Sequence, residues 1–273
     1  MILFKRVGES FRHIEDREWV LLFLETLGVL VGILLAFELQ EWAQRRSEAA
    51  KHRQLMERLF EESEVDIAVI RDIRDVLNQL VSGEKSFALA LAKNQCPPEN
   101  EWRAVETINM LPALTAPTSV YQELMGAGGL SSVERKDVRE ALALFHGNMD
   151  WSQQQVAYFR QVTKEPVPES DPRVTITFDP TQEEPEVAKF NRQALCGDHA
   201  FRNSFAAALR QHVVFTNYHD GSVQDAINMC IRLGDSIGRS CTPAFGGPLK
   251  GADARVAAKV MAKMRKDLAQ PSS

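Results

Sequence analysis

Apart from one segment near its N-terminus, the 273-residue sequence contains no long apolar run. Its hydrophobic content of 44% and its charged content of 25% are those of an ordinary globular protein, which argues against several membrane spans. The sequence also has no excess of positive charge. Its net charge of −5 at pH 7 argues against a general nucleic-acid-binding protein, so we expect no nucleic-acid partner.

The sequence lacks the motifs that are typical of large enzyme classes: a nucleophile elbow, an HExxH helix and the protein-kinase set. The glycine-rich segment 126–129 follows a predicted helix, whereas a phosphate-binding loop follows a strand. The zinc-binding residue types that come closest together are Cys196, His199, His212 and His219. The last two are two helical turns apart, too far to bind one ion on a straight helix. We therefore predict no catalytic residue, no metal and no cofactor, and no enzymatic activity.

The apolar segment extends from Val20 to Phe37 and is interrupted only by Glu25 and Thr26. Tryptophans flank it at Trp19 and Trp42. A helix between the two is roughly 35 Å long, close to a hydrocarbon core of about 30 Å with part of each interface, where Trp rings prefer to lie. The segment therefore predicts a transmembrane helix over residues 19–41, with the lipid bilayer as a partner and both tryptophans as interface anchors.

Two alternatives exist for this segment. Its longest stretch without an acid, Thr26–Phe37, has a length that is more typical of a buried core helix. A cleaved signal peptide is the other alternative, but the apolar run is long and no small-x-small cleavage site follows it. Because the segment is apolar on all sides and the chain offers nothing comparable to pack against it, the sequence favours the membrane span.

Glu25, Gly28 and Gly32 fall on one face of the predicted span. The glycines form a GxxxG pair, which lets two helix backbones approach closely. An ionisable group inside a bilayer is costly unless it is neutral, paired or near water. We predict that this face contacts another helix, from a second copy of the chain or from a membrane protein partner. The alternative is an acid tolerated near the interface beside a GxxxG pair of a kind common in apolar spans.

No proline occurs between Trp42 and Cys96, so the helix is predicted to continue to about Lys93 as a stalk. Glu62 and Asp66 interrupt an apolar seam with nearly the 3.5-residue spacing of a coiled coil. The apolar members of the seam are Leu55, Leu59, Ile73, Val76 and Leu80.

A second long helix is predicted from Ser131, which starts a capping box, to about Val162, and it is expected to lie antiparallel to the first. Residues 164–186 contain five prolines and seven acids and predict a short extended segment, after which helical spacing returns. The predicted fold is mainly α. It has one N-terminal transmembrane helix that continues into a long stalk helix, an antiparallel helical domain outside the membrane, and a short extended segment.

The predicted organisation has six parts. They are a cytoplasmic N-terminal segment (1–18), the transmembrane helix (19–41), a stalk and helical hairpin body (42–163), a Pro- and acid-rich extended segment (164–186), C-terminal helices (187–240), and a Gly/Pro-rich loop with a basic tail (241–273).

The four cysteines, Cys96, Cys196, Cys230 and Cys241, all follow the apolar segment. Their even number suits two disulfides in an oxidising compartment, and four unpaired thiols in a cytosolic body are the alternative. Of the possible bonds, Cys241 with Cys196 or with Cys230 is favoured. Basic residues flank the span almost equally, but a short basic N-terminal tail is hard to translocate. We predict a single-pass inner-membrane protein with a cytoplasmic N-terminus and a periplasmic or extracellular C-terminal domain.

Two stretches resemble a broad group of uncharacterised bacterial single-pass membrane proteins. The first, GVLVGILLAFELQEWAQRRSEAAKHRQLMERLFEE, has an apolar span that ends at Trp42 and is followed by an Arg/Glu-rich helix, Arg45–Glu62. The second, PTSVYQELMGAGGLSSVERKDVREALALF, covers Pro117–Phe145 and resembles the helix-Gly-helix segment of that group. The resemblance implies an inner-membrane protein with a domain of unknown function, and it supplies no activity or site.

From these features we expect a membrane-anchored scaffold or assembly protein that presents a helical domain to a partner as an oligomer. The alternative is a membrane-anchored sensor or ligand-binding module of the cell envelope. A pocket formed by the aromatic residues Trp102, Tyr121, Trp151 and Tyr158 would favour that alternative.

Overall fold

The structure, a computed structural model, describes residues 16–178, 180–181 and 186–269, without the side chains of residues 16–22, 24, 186–187 and 268–269. Most of the predicted N-terminal segment and the end of the basic tail lie outside these ranges. The chain divides into two compact units, one up to Leu55 and one from Met56. The described part is mainly helical with one small two-stranded sheet, as the sequence predicted.

Helix α1 extends from Asp16 to Ala92 without a break, as the absence of proline in this part of the sequence predicted. It ends in a turn in which Asn94 has a positive φ of 58°, followed by Pro97 and Pro98. Proline cannot donate a backbone hydrogen bond and disfavours a helical conformation in the residue before it, so the helix cannot continue.

The unit from Met56, called the body below, contains the rest of α1 and all later elements. The later helices are α2 (Arg103–Thr107), α3 (Ser119–Gly126), α4 (Lys136–Val162), α5 (Arg192–Cys196), α6 (His199–Ile237) and α7 (Gly251–Ala269). The strands are β1 (Val174–Phe178) and β2 (Glu186–Phe190), and two short 3-10 turns cover Glu99–Glu101 and Gly129–Ser132.

Helix α6 lies antiparallel to the C-terminal part of α1. Near the end of α1, Glu84 contacts His212, whereas Glu61 pairs with Arg239 at the other end of α6. Capping residues mark both ends of α6. At the start, the Asp198 side chain accepts a hydrogen bond from the backbone N–H of Ala200, and at the end Gly238 takes the left-handed conformation that ends many helices.

Helix α4 lies antiparallel to α6, because Asp137 pairs with Arg232 while Phe159 packs on Phe215. Since α6 is antiparallel to both helices, α4 and the C-terminal part of α1 point in the same direction. The prediction that the second long helix is antiparallel to the first is therefore wrong. The connection over residues 93–135 carries the chain back to the start of the body before α4 begins.

Two apolar clusters of the core join the helices of the body. In the first, Phe87 of α1 packs with Trp102 and with Phe201 and Phe205 of α6. The second joins three long helices, and its buried members are Leu77, Leu111, Val156, Phe159 and Phe215.

Strands β1 and β2 form an antiparallel hairpin with Val174 opposite Phe190. The predicted extended segment therefore contains β1, but residues 187–190 are in a strand, where the sequence predicted the first of the C-terminal helices. Phe190 packs on Trp102 with ring centroids 5.3 Å apart, so tertiary packing outweighs the helical spacing that follows.

Candidate functional site

The apolar segment of α1 is the first candidate. Its described side chains between Phe23 and Leu39 are exposed, with exposed fractions from 42% to 67% for the large apolar ones. Among the residues that the structure describes, α1 is the one helix long and apolar enough to cross a membrane. The alternative prediction, a core helix buried within this chain, is not supported, because none of the residues in the most apolar part of α1 is buried.

The predicted helix contact face lies within this segment. Glu25, Gly28 and Gly32 are all exposed, and a methyl group added at either glycine would meet no atom within 4 Å. The small size of these glycines is therefore not required by packing inside the chain. The contact with another helix stays a prediction.

The two predicted interface anchors, Trp19 and Trp42, are at either end of the predicted span. Trp42 is 57% exposed, and the guanidinium of Arg46 lies 5.4 Å from the centre of its ring, a cation–π contact. Trp19 belongs to α1, but its side chain lies outside the described part of the structure.

The four cysteines form two disulfides, Cys96–Cys196 and Cys230–Cys241, with Cα–Cα distances of 5.5 and 5.7 Å. The first joins the segment after α1 to the end of α5, and the second closes the loop after α6. The alternative bond Cys196–Cys241, which the sequence left open, is not the one found.

Three of the four candidate zinc ligands are engaged elsewhere. Cys196 is in a disulfide, His212 contacts Glu84, and His219 Nδ1 lies 3.1 Å from the carbonyl oxygen of Phe215. No group of three or more potential metal ligands occurs in the part of the chain that is described.

A buried contact between a carboxylate and an imidazole in the body was not predicted from the sequence. His212 Nδ1 lies 2.8 Å from a carboxylate oxygen of Glu84, and both side chains are fully buried. The Thr107 hydroxyl donates to the same carboxylate at 3.4 Å. These contacts join α1, α2 and α6 inside the core, although Nε2 of His212 has no hydrogen-bond partner among the described residues.

A second buried polar contact lies at the N-terminus of α3. The Glu62 carboxylate accepts hydrogen bonds from the backbone N–H groups of Val120 and Tyr121 and from the Ser119 hydroxyl, at 2.9 to 3.1 Å. A carboxylate here satisfies free N–H groups and meets the positive end of the helix dipole. The contact that caps α3 therefore comes from α1, which precedes α3 by 58 residues at Glu62 and Val120.

Two titratable groups near this helix start are buried with unpaired atoms. Oδ1 of Asp66 and Nε2 of His146 have no hydrogen-bond partner among the described residues. Burial, with the Glu62 carboxylate as a smaller cause, raises the pKa of Asp66 to about 8. Burial lowers the pKa of His146 to about 4, and its ring stacks on Tyr121 at 3.4 Å between centroids. Both groups are therefore neutral at pH 7.

The four aromatic residues whose common pocket would have favoured a ligand-binding module lie in different places. Trp102 is buried in the first apolar cluster and Tyr121 stacks on His146. Trp151 and Tyr158 are exposed on α4.

Comparison with known proteins supplies no further identification: no protein-family model, curated protein or solved structure matches the chain. The resemblance to bacterial single-pass membrane proteins therefore stays a prediction.

Proposed function

We propose that the protein is a single-pass inner-membrane scaffold that presents a helical body to a partner and associates as an oligomer through its membrane helix. The N-terminus is cytoplasmic and the body lies on the periplasmic or extracellular side. The observation that carries the proposal is the apolar surface of α1 between Phe23 and Leu39, which is exposed on every side and covered by nothing in the described chain.

The size of this surface is the physical argument for a membrane. Removing one large aliphatic or aromatic side chain from water is worth about 1.5–3 kcal/mol. The exposed ones in the segment include Phe23, Leu30, Leu34, Leu35 and Phe37. Lipid covers such a surface on all sides, whereas a partner protein covers one stripe of it.

The contact face is assigned to a second copy of the same helix. In lipid, helices associate through close backbone packing, which the open surfaces of Gly28 and Gly32 allow. Glu25 lies on the same face and would meet its copy, and a partner inside the bilayer lowers the cost of a polar side chain there.

The body has the properties of a rigid module for presentation. Two disulfides cross-link it, and the Glu84–His212 and Glu62–α3 contacts are buried inside it. These bonds and contacts hold the helices of the body together. The exposed surface of the body is then the part that can contact other molecules.

The test is association of the full chain in lipid bilayers. Single-molecule photobleaching would count copies for the natural chain and for a Gly28→Leu, Gly32→Leu variant. We expect dimers or larger assemblies for the natural chain and monomers for the variant, because leucine separates the backbones. Leu30→Phe with Leu34→Phe adds bulk to the opposite face and serves as the matched control.

Two results would contradict the proposal. If the natural chain is absent from the membrane fraction, the proposed membrane anchor is wrong. If the chain is monomeric at every protein-to-lipid ratio, the proposed oligomer is wrong.

A further inference from the structure

One helix of the body carries a row of exposed apolar side chains. Leu144, Trp151 and Tyr158 of α4 are 48%, 44% and 54% exposed. They are spaced by seven residues, about two helical turns, so they lie on one side of the helix over roughly 21 Å. The buried side of α4 already packs in the core through other residues, which include Leu142, Met149 and Val156. The row therefore lies outside the buried side of α4.

The central residue of the row is held in position. The Trp151 ring makes an edge-to-face contact with Tyr218 of α6 at 4.9 Å between centroids, and Tyr218 in turn contacts Phe159 at 5.7 Å. A tryptophan held in this way loses little conformational freedom when a partner covers it. Trp and Tyr are also the residues that most often dominate binding energy at protein interfaces.

Charge along α4 indicates what kind of partner fits. Between residues 141 and 159 the one formally charged residue is Asp150, which lies about 100° around the helix from Trp151. The imidazole of His146 is neutral at pH 7 and points into the core. In a contact between two copies around a two-fold axis, residues near the axis meet their own copies, so a charge there would meet its like. The three residues of the row carry no charge and avoid this repulsion, and the Asp225 carboxylate that α6 contributes beside α4 accepts a hydrogen bond from Asn148 at 2.7 Å.

We propose that this row is a contact surface between two copies of the chain, with Trp151 of one copy against Trp151 of the other. Leu144 lies seven residues before the centre and Tyr158 seven residues after it, so both flank the axis whichever way the two helices point. The contact extends self-association from the membrane helix to the body.

The size of the row explains why the contact rests on the proposed function. Three side chains bury on the order of a few hundred Å² per copy, less than the roughly 800 Å² per partner of a stable soluble complex. Two copies held in one bilayer have a high effective concentration, so a small contact between them is sufficient.

The experiment uses the full chain in liposomes, with fluorescent proteins fused after Ser273 and energy transfer measured over a series of protein-to-lipid ratios. Trp151→Glu is expected to weaken association at least tenfold, because two carboxylates would replace the packed rings. Leu89→Glu is the matched control: Leu89 is 61% exposed on α1, away from the row, and we expect it to leave association unchanged. Circular dichroism of each variant checks that the body is folded.

The outcomes separate this inference from the proposed function. If Gly28→Leu with Gly32→Leu abolishes association and Trp151→Glu does not change it, the row is not an interface although the scaffold proposal stands. If Trp151→Glu weakens association and the glycine variant does not, the row is the interface and the membrane face is not. A natural chain that is monomeric at all ratios contradicts both.

A second measurement leaves the row intact. Benzoylphenylalanine at the exposed position Gln154 is irradiated in a mixture of normal and heavy-isotope chains. We expect crosslinks between chains that map to α4 of both copies. Crosslinks confined to one chain, or to other segments of the second copy, would overturn the assignment.

Discussion

Glu62 and Asp66 lie one helical turn apart on the buried side of α1, and they are hydrogen-bonded very differently. Both oxygens of Glu62 accept hydrogen bonds at the N-terminus of α3, whereas Oδ1 of Asp66 has no partner among the described residues. Because Asp66 is 1% exposed and lies beside another carboxylate, it is held in its protonated form in the folded state.

Asp66→Asn is therefore expected to stabilise the protein, by an amount that increases with pH. The pKa of Asp66 is about 8 when folded against an ordinary value of 3.8, so the folded state holds a proton that the unfolded state releases. Stability is then lost as pH rises through this window, by at most about 1.4 kcal/mol per pH unit. We expect the advantage of the variant in the free energy of unfolding to grow by about 2–3 kcal/mol from pH 5 to pH 7.

Urea unfolding of the detergent-solubilised chain, followed by tryptophan fluorescence, measures this difference. His146 also titrates in this range with the opposite sign, because its lowered pKa removes stability as pH falls below 6.5, but both proteins contain it and its contribution largely cancels. Asp72→Asn at an exposed position of α1 is the control. A variant whose advantage is the same at both pH values would show that Asp66 is ionised in the folded protein.

The buried pair of Glu84 and His212 makes a second prediction. Glu84→Ala leaves the buried His212 imidazole without the carboxylate that it contacts, and we expect a loss of about 1–3 kcal/mol in the free energy of unfolding. The double variant Glu84→Leu with His212→Phe is expected to lose less free energy of unfolding than the sum of Glu84→Leu and His212→Phe made singly. In each single variant one polar side chain is buried without its partner, whereas the double variant buries two apolar side chains.

A double-mutant cycle in urea measures this coupling. The exposed pair Lys136 with Glu140, whose side chains are 80% and 67% exposed, is the control and should show less than about 1 kcal/mol. Additive single and double changes at Glu84 and His212 would mean that the pair is not coupled in the folded protein.

Local sequence features predicted much of the fold. The absence of proline between Trp42 and Cys96 predicted the length of α1, and the Pro- and acid-rich composition of residues 164–186 predicted the short extended segment that contains β1. Each of these depends on neighbouring residues, whose conformational preferences act whatever the rest of the chain does.

The buried polar residues could not be predicted in the same way. Glu62 and Asp66 were predicted to interrupt an apolar seam that includes Val76, yet both acids are buried and Val76 is 48% exposed. The partners that make a buried carboxylate tolerable come from far along the chain: Glu62 is separated by 58 residues from Val120 and Glu84 by 128 from His212. The direction of α4 depends likewise on the long connection before it and not on its own pattern.

The two disulfides are expected to differ in their contribution to stability. Cys96–Cys196 closes a loop of 100 residues and Cys230–Cys241 one of 11. In the chain-entropy model these loops correspond to about 4.7 and about 2.8 kcal/mol, because a longer loop removes more freedom from the unfolded chain. Changing both cysteines of the first bond to serine should therefore lower the free energy of unfolding more than the same change in the second.

Peptide mapping without reduction identifies the bonds before the two double variants are compared in urea. A Cys196–Cys241 peptide in the natural chain would contradict the observed pairing. Equal stability of the two variants would mean that the unfolded chain retains structure around one of the loops.

The orientation in the membrane makes the last prediction. If the N-terminus is cytoplasmic, residues after the span lie on the oxidising side, where disulfides persist. A phosphatase that is active only in the periplasm, fused after Ser273, should then be active, and the same enzyme fused after Arg17, before the apolar segment, should be silent. A fluorescent protein that matures only in the cytosol should give the reverse pattern at both sites. An inactive phosphatase and a bright reporter after Ser273 would place the body in the cytosol, and the four cysteines would then be expected to be reduced thiols, since cytosolic glutathione and thioredoxin keep such groups reduced.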